Sequence, residues 1–371
     1  MRLASYNVEN LFDRAKAMNQ QDWSAGKPIL EKFAALNALL GELTYTAEMK
    51  QKMVVLMNEL GLRKSDTGPF VILRRNRGKL LTRPQDGSDI RIIADGRADW
   101  VGSLELRSAP VDEVAMLLTA QVMIDLQADI LAVVEAESRP ALQAFNNEIL
   151  PARNGKPFEH VMVIDGNDER GIDVGLMTAR AFPIDTIRSH VDDKDRSGAL
   201  IFSRDCPEFA IPLKSGETLH ILVNHLKSKG FGTQSSSDAR RKAQAERVKA
   251  IYQQRSKEGE ALIAIMGDFN DTPDSTTLAP LLKDTDLQDI FTHPAFDNGG
   301  YPGTWGSCTA NNKIDYILLS PALWKKVKQG GVFRKGMWPG VRPAKWETYP
   351  ELKKPVNAGS DHAAVWVELD L

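Results

Sequence analysis

The sequence contains little cysteine and no long apolar run. Its 371 residues include two cysteines, Cys206 and Cys308, which lie far apart and lack metal-ligand spacing. A disulfide framework is therefore not expected, and a reducing compartment is the default. No apolar stretch reaches the roughly 18 residues that a transmembrane helix needs, so no membrane span is predicted. A chain of this length can bury a sufficient core without such staples.

The sequence also lacks a strong excess of charge of either sign. It carries 47 Lys and Arg against 49 Asp and Glu, a formal net charge of −2. Such a balance gives no global attraction to nucleic acid or to an anionic membrane, so any electropositive surface must be local. The opening stretch MRLASYNVENLFDR has neither a long apolar segment nor a small-residue cleavage site. It is no signal peptide as it stands, which predicts a cytoplasmic protein unless a leader has been removed.

Short apolar runs of strand length outnumber the segments with helical spacing. Strands are predicted at residues 2–8, 129–135, 171–179, 199–203, 219–228, 261–270, 313–320 and 363–371. Helices are predicted at residues 31–61, 113–126 and 239–255, where apolar residues recur every three or four positions. Many strands with fewer helices favour sheet packed on sheet with helices outside.

Residues 63–83 form the most basic segment, with seven Arg or Lys and one Asp. The runs FVIL and KLLT around the turn-like RRNRG predict a hairpin with a basic tip. Two interpretations remain open. The cations can be a solvated charged surface, or they can bind phosphate, because clustered cations release counterions from a polyanion.

Several predicted strands end in residues that can bind a metal or move a proton. These are Asn7 and Glu9, Glu135, His225, Asp268 and Asn270, Asp315, and Asp361 with His362. A single such residue at a strand end usually makes a turn. Strand ends on one side of a sandwich converge, however, so we expect these positions to form one pocket.

Six motifs that contain these residues resemble one family. SYNVEN, DILAVVEAES, VNHLKS, GDFND, KIDYILLS and GSDH resemble, in order and approximate spacing, the endonuclease/exonuclease/phosphatase superfamily, the deoxyribonuclease I-like enzymes. The resemblance covers residues 1–12 and about 113–371 of a single catalytic domain. Residues 13–112, the helical segment and the basic hairpin, look like an insertion. The family resemblance implies an α+β fold, a four-layer α/β/β/α sandwich of two mainly antiparallel sheets.

The resemblance also implies a divalent metal. Glu135 resembles the principal metal ligand of the family, and Glu9 and Asp361 resemble supporting ligands. Mg²⁺ is the implied ion, with Mn²⁺ or Ca²⁺ as alternatives, because hard cations with oxygen ligands suit phosphate substrates.

Five further residues resemble the catalytic groups of the family. Asp268 resembles the residue that orients and deprotonates the attacking water, and Asn270, two along an extended chain, would donate to the phosphate. His362 resembles the imidazole that contacts phosphate, and Asp315 would fix its tautomer. His225 resembles the group that protonates the leaving oxygen.

Five other residues are candidates for contact with the substrate or the pocket. Asn7 resembles the amide that holds the metal shell or phosphate, and Arg204 resembles a phosphate clamp. Lys227, in NHLKSKG, is a further substrate-binding candidate. Arg170 and Asp173 lie in a segment, DERGIDVGLM, that looks like the central strand of the family and can face the pocket.

The predicted function is a metal-dependent phosphoester hydrolase, and specifically a nuclease that cleaves DNA or RNA by metal-assisted water attack. The basic segment at 74–79, NHLKSKG and ARRK (239–242) favour nucleic acid, whereas the near-neutral charge opposes it. The alternatives are a phosphatase or phosphodiesterase for a small molecule or a lipid, for which GVFRKGMWPG (331–340) is the apolar loop, and a non-catalytic phosphate-binding scaffold. No obligate protein partner is evident.

Overall fold

The computed structural model describes residues 1–9, 16–17, 23–86, 88–107, 112–168, 171–230, 233–341 and 344–371. The chain forms two compact units, which are described separately below. The sandwich unit comprises Met1–Phe12 and Val111–Leu371, and the inserted unit comprises Asp13–Pro110. In the described residues, no helix has the length and apolar character that a membrane crossing requires.

The strands, in chain order, are β1 Arg2–Asn7, β2 Val71–Gly78, β3 Leu81–Thr82, β4 Arg91–Ile92, β5 Trp100–Leu106, β6 Ile130–Ala136, β7 His160–Ile164, β8 Asp173–Thr178, β9 Thr186–Arg188, β10 Glu208–Pro212, β11 Thr218–His225, β12 Leu262–Asp268, β13 Gln288–Asp289, β14 Phe296–Asp297, β15 Asp315–Leu319, β16 Val327–Phe333 and β17 Ala364–Leu369.

The α-helices are α1 Trp23–Gly41, α2 Ala47–Glu59, α3 Glu113–Leu126, α4 Arg139–Ala144, α5 Leu150–Ala152, α6 Gln234–Lys257, α7 Ala279–Leu282 and α8 Pro321–Trp324. Short 3₁₀ turns cover Arg97–Asp99, Ile290–Thr292, Ala310–Asn312 and Pro355–Asn357, and a π turn covers Phe145–Ile149.

The sandwich unit contains two sheets whose inner faces share one core. The first sheet has the order β14-β16-β17-β1-β6-β8-β7, and the second has the order β13-β15-β12-β11-β10-β9. Leu3 and Val365 of the first sheet and Ile221 and Met266 of the second lie in the same buried cluster. Apolar contact between the inner faces therefore holds the two sheets together.

Helices cover the outer face of each sheet. Leu118 of α3 packs with Tyr6 of the first sheet, and Val248 of α6 packs with Ile265 of the second. Both faces of the central strands are thus buried, which explains why β6 and β12 are continuously apolar. The predicted α/β/β/α sandwich of the α+β class is confirmed.

Strand register places several strand ends together. Strand β1 runs parallel to β6 and pairs Asn7 with Val134. Strand β11 runs parallel to β12 and pairs His225 with Asp268. Asp268 is also opposite Asp315, the first residue of the antiparallel neighbour β15. Hydrogen bonding between the paired strands therefore fixes the spacing of these side chains, independently of the contacts that the side chains make.

The inserted unit has its own core and two helices where one was predicted. Leu36, Met53 and Trp100 are buried in its apolar cluster. The single helix predicted for 31–61 is wrong, because residues 42–46 separate α1 from α2. The hydroxyl of Thr46 accepts a hydrogen bond from the N–H of Met49 at 3.2 Å, which begins a new helix.

The hairpin predicted around RRNRG is also wrong. These residues belong to β2, which pairs with β5 across the whole ladder, whereas β3 pairs with β4. The register shifts between Arg75 and Arg77, as a bulge at Asn76 requires. Gly102 permits the close approach of β5, because a Cβ there would lie 1.9 Å from the carbonyl oxygen of Arg74. A long-range partner thus overrides a local turn signal.

Residues 199–203, predicted as a strand, make only an isolated bridge between Lys194 and Leu200. The strand beside β11 is instead β10, Glu208–Pro212, which lies a few residues further along the chain. The run ALIFS is apolar because Phe202 packs under α6, in the same cluster as Val248. Apolar residues in an irregular segment can satisfy a core without forming a ladder.

Candidate active site

Asn7 lies at the centre of a group of polar side chains in the sandwich unit. It is the last residue of β1 and is 1% exposed. Its amide nitrogen Nδ2 lies 3.3 Å from Oε1 of Glu135, 3.3 Å from Oδ2 of Asp268 and 3.5 Å from Nε2 of His362. Its Oδ1 accepts the backbone N–H of Glu9 at 3.0 Å. One amide therefore connects residues from four distant segments.

Glu135 reaches this group because β6 is irregular at that residue. The register of β6 against β8 shifts between Val134 and Ala136, which marks Glu135 as a bulge. Its φ of 65° lies in the left-handed region, which non-glycine residues seldom adopt. A bulge re-aims a side chain that would otherwise follow strand alternation.

The GDFN stretch places Asp268 by close packing of two strands. Gly267 has φ 131°, and a Cβ there would lie 1.9 Å from the carbonyl oxygen of Asn224. Only glycine fits this position, so β12 can lie against β11 with Asp268 at its end. Oδ1 of Asp268 then accepts the backbone N–H of Asn270 at 2.8 Å.

Asn270 does not follow the extended-chain argument made from the sequence. Its φ is 56°, so the chain turns into the left-handed region there. Its side-chain amide donates to the carbonyl oxygen of Leu226 at 3.1 Å. An amide nitrogen carries two hydrogens, so this bond leaves one N–H for another acceptor.

Two imidazoles approach the same carboxylate oxygen. Oδ2 of Asp268 lies 3.7 Å from Nε2 of His225 and 3.9 Å from Nε2 of His362. Nε2 of His225 also lies 3.8 Å from Oε1 of Glu135. These separations exceed direct hydrogen-bond distance, so the groups surround a space rather than closing on one another.

Hydrogen bonds to the ring and to the backbone fix the orientation of His362. Its Nδ1 lies 2.9 Å from Oδ2 of Asp315. Its backbone N–H donates to Oγ of Ser360, which itself donates to the carbonyl oxygen of Asn7. The hydroxyl of Thr304 accepts the backbone N–H of Asp315 at 3.1 Å. With Nδ1 held by Asp315, Nε2 is directed toward Asp268.

Glu9 and Asp361 lie together at the exposed side of the group. Oε2 of Glu9 accepts the backbone N–H of Asp361 at 2.9 Å. The Asp361 carboxylate accepts the indole N–H of Trp305 at 2.7 Å and is 44% exposed. Trp305 is itself 40% exposed, and its ring centroid lies 6.4 Å from that of His362. The site thus opens to solvent beside an indole.

Burial and like charge perturb the central groups. Burial, followed by the charge of Asp315, raises the pKa of Asp268 well above its usual range. Burial alone would lower the pKa of His362, but the carboxylates of Asp315 and Asp361 outweigh it and raise that pKa. Asp268 is therefore a stronger base than an ordinary carboxylate, and His362 holds its second proton more firmly than an ordinary imidazole.

The donor set is rich in anionic oxygen. Among the described residues, the ion pairs of Glu135, Asp268, Asp315 and Asp361 are with histidine, and none is with lysine or arginine. Several carboxylates that converge without a lysine or arginine partner fit a hard divalent cation, which would offset their repulsion. The residues present are therefore compatible with the implied metal.

The position of such a cation has two candidates. In the part of the chain that the structure describes, Asp268, Asp315 and His362 offer ligand atoms within 4.8 Å of one another. The predicted ligands are different, namely Glu135 with Glu9 and Asp361. In the first group, Nδ1 of His362 and Oδ2 of Asp315 are already hydrogen-bonded to each other. In the second group, the described hydrogen bond to the Glu135 carboxylate comes from Asn7. The ligand roles of Glu135, Glu9 and Asp361 stay a prediction.

Arg204 belongs to a neighbouring group. Its Nε lies 3.2 Å from the carboxylate of Asp168. Its backbone lies close to Gly166, where a Cβ would be 2.8 Å from the Cα of Arg204. The N–H of Gly166 donates to Asp173 at 2.8 Å, and Asp173 is opposite Ala136 in the β6–β8 pair. This group therefore lies one residue from Glu135 along the sheet. Arg170 lies outside the described residues.

The backbone of Lys227 is held by helix α6. Its N–H donates to the side chain of Gln244 at 2.7 Å, and its carbonyl oxygen accepts from Arg241. Arg241 is fully buried and also contacts Asp271 at 3.0 Å. Sequence reasoning missed Arg241 and Asp271 as supports of the loops that carry His225 and Asn270.

Ser360 and Thr304 are the other supports that the sequence did not reveal. Ser360 stands inside GSDH, so its motif was a usable signal. Thr304 had none, because its hydroxyl meets Asp315 only after the chain has folded. Residues that act on a neighbour rather than on a ligand carry no recognisable chemistry of their own.

Comparison with known proteins places the chain in a family. A model of the endonuclease/exonuclease/phosphatase family matches residues 84–333, more than half of the chain. The match begins inside the inserted unit and ends before GSDH. No curated protein matches the sequence closely.

Several solved structures are similar to the chain at low sequence identity. A mannosyl-6-phosphatase from Bacteroides thetaiotaomicron is 16% identical, with 100% of both chains covered and a TM-score of 0.52. A family protein from the same organism is 20% identical over 69% of this chain and 89% of that one, with a TM-score of 0.48. The human Nocturnin catalytic domain is 17% identical over 70% and 87%, with a TM-score of 0.49. The chain belongs to the endonuclease/exonuclease/phosphatase family and is a hydrolase of phosphoester bonds.

Proposed function

We infer that the protein is a divalent-metal-dependent phosphodiesterase that acts on nucleic acid. The observation that carries this inference is the arrangement around Oδ2 of Asp268. Asn7 Nδ2 lies 3.3 Å from it, His225 Nε2 3.7 Å and His362 Nε2 3.9 Å. Two imidazoles, an amide and a carboxylate around one small space can activate a water and receive an anionic oxygen.

Asp268 is the general base in this proposal. An ordinary carboxylate is a weak base at neutral pH, since its pKa is about 4. Burial and the nearby Asp315 raise the pKa of Asp268, which brings its proton affinity closer to that needed near neutrality. The N–H of Asn270 holds Oδ1, so Oδ2 is the oxygen that faces the water.

His362 and Asn270 receive the phosphate. Asp315 holds Nδ1 of His362, and the raised pKa of His362 favours a proton on Nε2 as well. A protonated Nε2 donates a charge-assisted hydrogen bond to a phosphate oxygen. The second N–H of the Asn270 amide points to the same role, because Leu226 uses only one.

His225 protonates the leaving oxygen. Its Nε2 lies between Oε1 of Glu135 and Oδ2 of Asp268, at 3.8 and 3.7 Å. An imidazolium held there can give a proton to an alkoxide leaving group. Glu135, with Glu9 and Asp361, would hold Mg²⁺ or Mn²⁺. When bound, the cation would offset negative charge on the phosphate and acidify a water.

Burial of the loop at residues 331–340 weighs against a lipid substrate. Met337 in GVFRKGMWPG is 2% exposed, and Trp338 packs in the apolar cluster beneath α3. The loop proposed for lipid contact thus covers the sandwich, which removes the main support for a lipid substrate. Lys229 and Arg241, taken from the sequence as nucleic-acid contacts, both bind Asp271. These two cations therefore do not supply free positive charge, and the basic segment of the inserted unit is the other sequence feature that favours nucleic acid.

A phosphomonoesterase is the second candidate. The similarity to the mannosyl-6-phosphatase covers the full length of both chains, and the name of that enzyme describes a phosphomonoester substrate. The same base and imidazoles would serve a monoester. The two functions differ in whether a phosphate bearing two esters is a substrate.

The decisive experiment compares wild type with Asp268→Asn on three substrates. These are bis(4-nitrophenyl) phosphate, 4-nitrophenyl phosphate and supercoiled plasmid, each with Mg²⁺ or Mn²⁺ and with EDTA. We expect wild type to cleave the diester and nick plasmid, and Asp268→Asn to lose about 10²- to 10⁴-fold in kcat with its melting temperature retained. The exposed Asp192→Asn is the matched control. Cleavage of the monoester alone would replace the nuclease by a phosphatase, and normal turnover in Asp268→Asn would remove the base.

A further inference from the structure

Positive charge is concentrated in the inserted unit. Residues 13–110 carry 16 Lys and Arg against 12 Asp and Glu, whereas the remaining residues carry 31 against 37. The formal net charge of −2 for the whole chain therefore hides a basic unit and an acidic unit. A polyanion would be drawn to the first and repelled by the second.

Four of these basic residues, Arg74, Arg75, Arg77 and Lys79, lie along or directly after β2, which forms a two-stranded ribbon with β5. One face of the ribbon is fixed to the core of the unit by Val71, Leu73 and Leu104, which are buried. The opposite face is solvent-exposed. There the register pairs Arg74 with Ser103 and Arg77 with Val101.

Acidic neighbours neutralise one part of the ribbon. Asp66 binds Arg75 at 2.6 Å and Arg83 at 2.8 Å, and Glu105 binds Arg74 at 2.5 Å. These pairs consume three of the cations in the basic segment. The charges of these three arginines are therefore neutralised by carboxylates of the same unit, without any ligand.

The tip of the ribbon, residues 77–79, keeps its charge. Arg77 and Lys79 are exposed, and among the described residues no carboxylate lies within ion-pair distance of either. Gly78 between them has φ 75°, and a Cβ there would lie 2.2 Å from the carbonyl oxygen of Asp99. The backbone of the tip is therefore held against Asp99, and the two cations project from a fixed support.

We propose that the β2–β5 ribbon binds duplex DNA, with Arg77 and Lys79 contacting backbone phosphates; the choice of DNA among polyanions rests on the proposed function. A two-stranded antiparallel ribbon has the width that the major groove of B-form DNA admits. Each cation that meets a phosphate gains affinity by counterion release. The exposed Val101, 51% accessible, offers an apolar contact beside Arg77.

The test measures binding of the full-length chain to a short fluorescein-labelled duplex by anisotropy, at several NaCl concentrations and in EDTA to prevent hydrolysis. The variant Arg77→Gln/Lys79→Gln removes two cations from the tip. We expect weaker binding and a slope of log K against log salt that is smaller by about 2, roughly one per lost phosphate contact. Its melting temperature and its hydrolysis of bis(4-nitrophenyl) phosphate should match wild type.

The matched control is Lys156→Gln/Lys214→Gln, which removes the same charge from exposed positions of the sandwich unit. It should leave the salt slope unchanged. Equal losses in both double variants, an unchanged slope in the tip variant, or absence of duplex binding in wild type would each overturn the proposal. So would binding to a single strand that depends on the tip while duplex binding does not.

Failure of the proposed function has a different signature. In that case wild type would leave the small diester and plasmid intact with metal present, while the anisotropy assay still reports tip-dependent duplex binding. The ribbon proposal fails instead if diester hydrolysis is normal and the tip variant binds the duplex as tightly as wild type.

Discussion

Ser360 is a small residue whose hydroxyl joins two site residues. Its Oγ donates to the carbonyl oxygen of Asn7 at 2.7 Å and accepts the N–H of His362 at 2.9 Å. Ser360 is fully buried, so neither partner can turn to water. Positioning of the amide and the imidazole therefore depends on one hydroxyl.

Ser360→Ala should reduce activity and stability together. Each buried polar group left without a partner costs about 1–3 kcal/mol in the free energy of unfolding. We expect a loss of about tenfold in kcat on bis(4-nitrophenyl) phosphate with KM little changed, since about 1.4 kcal/mol corresponds to tenfold. Ser215→Ala, at an exposed turn, is the control. Wild-type kcat in Ser360→Ala would exclude a positioning role.

Asp315→Asn tests the charge that Asp315 places beside His362. An asparagine has the same shape, but its neutral amide no longer stabilises a second proton on the ring, so Nε2 donates to phosphate without charge assistance. We expect kcat to fall by about 10² or more while the melting temperature changes little. Nitrogen chemical shifts of His362 would report the change of protonation. Such a change without loss of kcat would contradict the role given to Asp315.

At the scale of elements, close approach of β11 and β12 positions Asp268. Gly267→Ala would place a Cβ 1.9 Å from the carbonyl oxygen of Asn224, so the two parallel strands must separate. We expect a loss of more than about 3 kcal/mol in the free energy of unfolding, measured by urea denaturation. Gly216→Ala, also at positive φ but with nothing within 4 Å, isolates backbone strain and should cost about 1–2 kcal/mol. Equal costs would show that the strand contact is unimportant.

The segment between β9 and β10 depends on a buried imidazole. His190 contacts Asp193 at 2.9 Å and Glu208 at 2.8 Å. Arg247 faces the same Asp193, and Arg255 the same Glu208. Burial alone would lower the pKa of His190, but its two carboxylate partners raise it above the usual value. Through these two carboxylates, the protonated ring of His190 helps to stabilise the segment that precedes Arg204.

Stability should fall as pH rises through the pKa of His190. A raised folded-state pKa contributes stability that is complete below the unfolded value of about 6.5 and is lost as pH passes the folded value. Urea denaturation between about pH 5 and 9 should show this decline in wild type, and a weaker one in His190→Gln. His160→Gln, which lacks these carboxylates in the described contacts, should keep the wild-type slope. An identical slope in His190→Gln would refute the linkage.

At the scale of the whole molecule, the two units have separate apolar cores. Leu36 is fully buried in the core of the inserted unit, and Leu219 is fully buried between the sheets. Leucine-to-alanine changes at buried sites cost about 2–5 kcal/mol. Because each unit has its own core, such a change in one unit should lower the local stability of that unit and leave the other unchanged.

Leu36→Ala should lower amide-exchange protection in the inserted unit and leave hydrolysis of the small diester unchanged. Leu219→Ala should do the reverse, lowering protection in the sandwich unit together with activity. Hydrogen exchange followed by mass spectrometry measures both. If Leu36→Ala lowers protection equally in both units, the chain unfolds as one cooperative body and the prediction fails.

The sequence was sufficient for the fold class, and the reason lies in burial. Runs such as ILAVV in β6 and LIAIM in β12 are apolar on both faces, which requires layers on each side of the sheet. Element pairing was not readable in the same way. RRNRG has the composition of a turn, yet β5 pairs with it from more than twenty residues away.

By itself, the sequence determined the family and the reaction class through the resemblance that its six motifs carry, and its apolar runs of strand length favoured sheet packed on sheet. Only the tertiary structure decided which charges are available. Lys229 and Arg241 are bound to Asp271, and Arg75 is bound to Asp66, while Arg77 keeps its charge. A linear sequence specifies how many charges exist, but Coulomb energy depends on distances that form only when the chain folds.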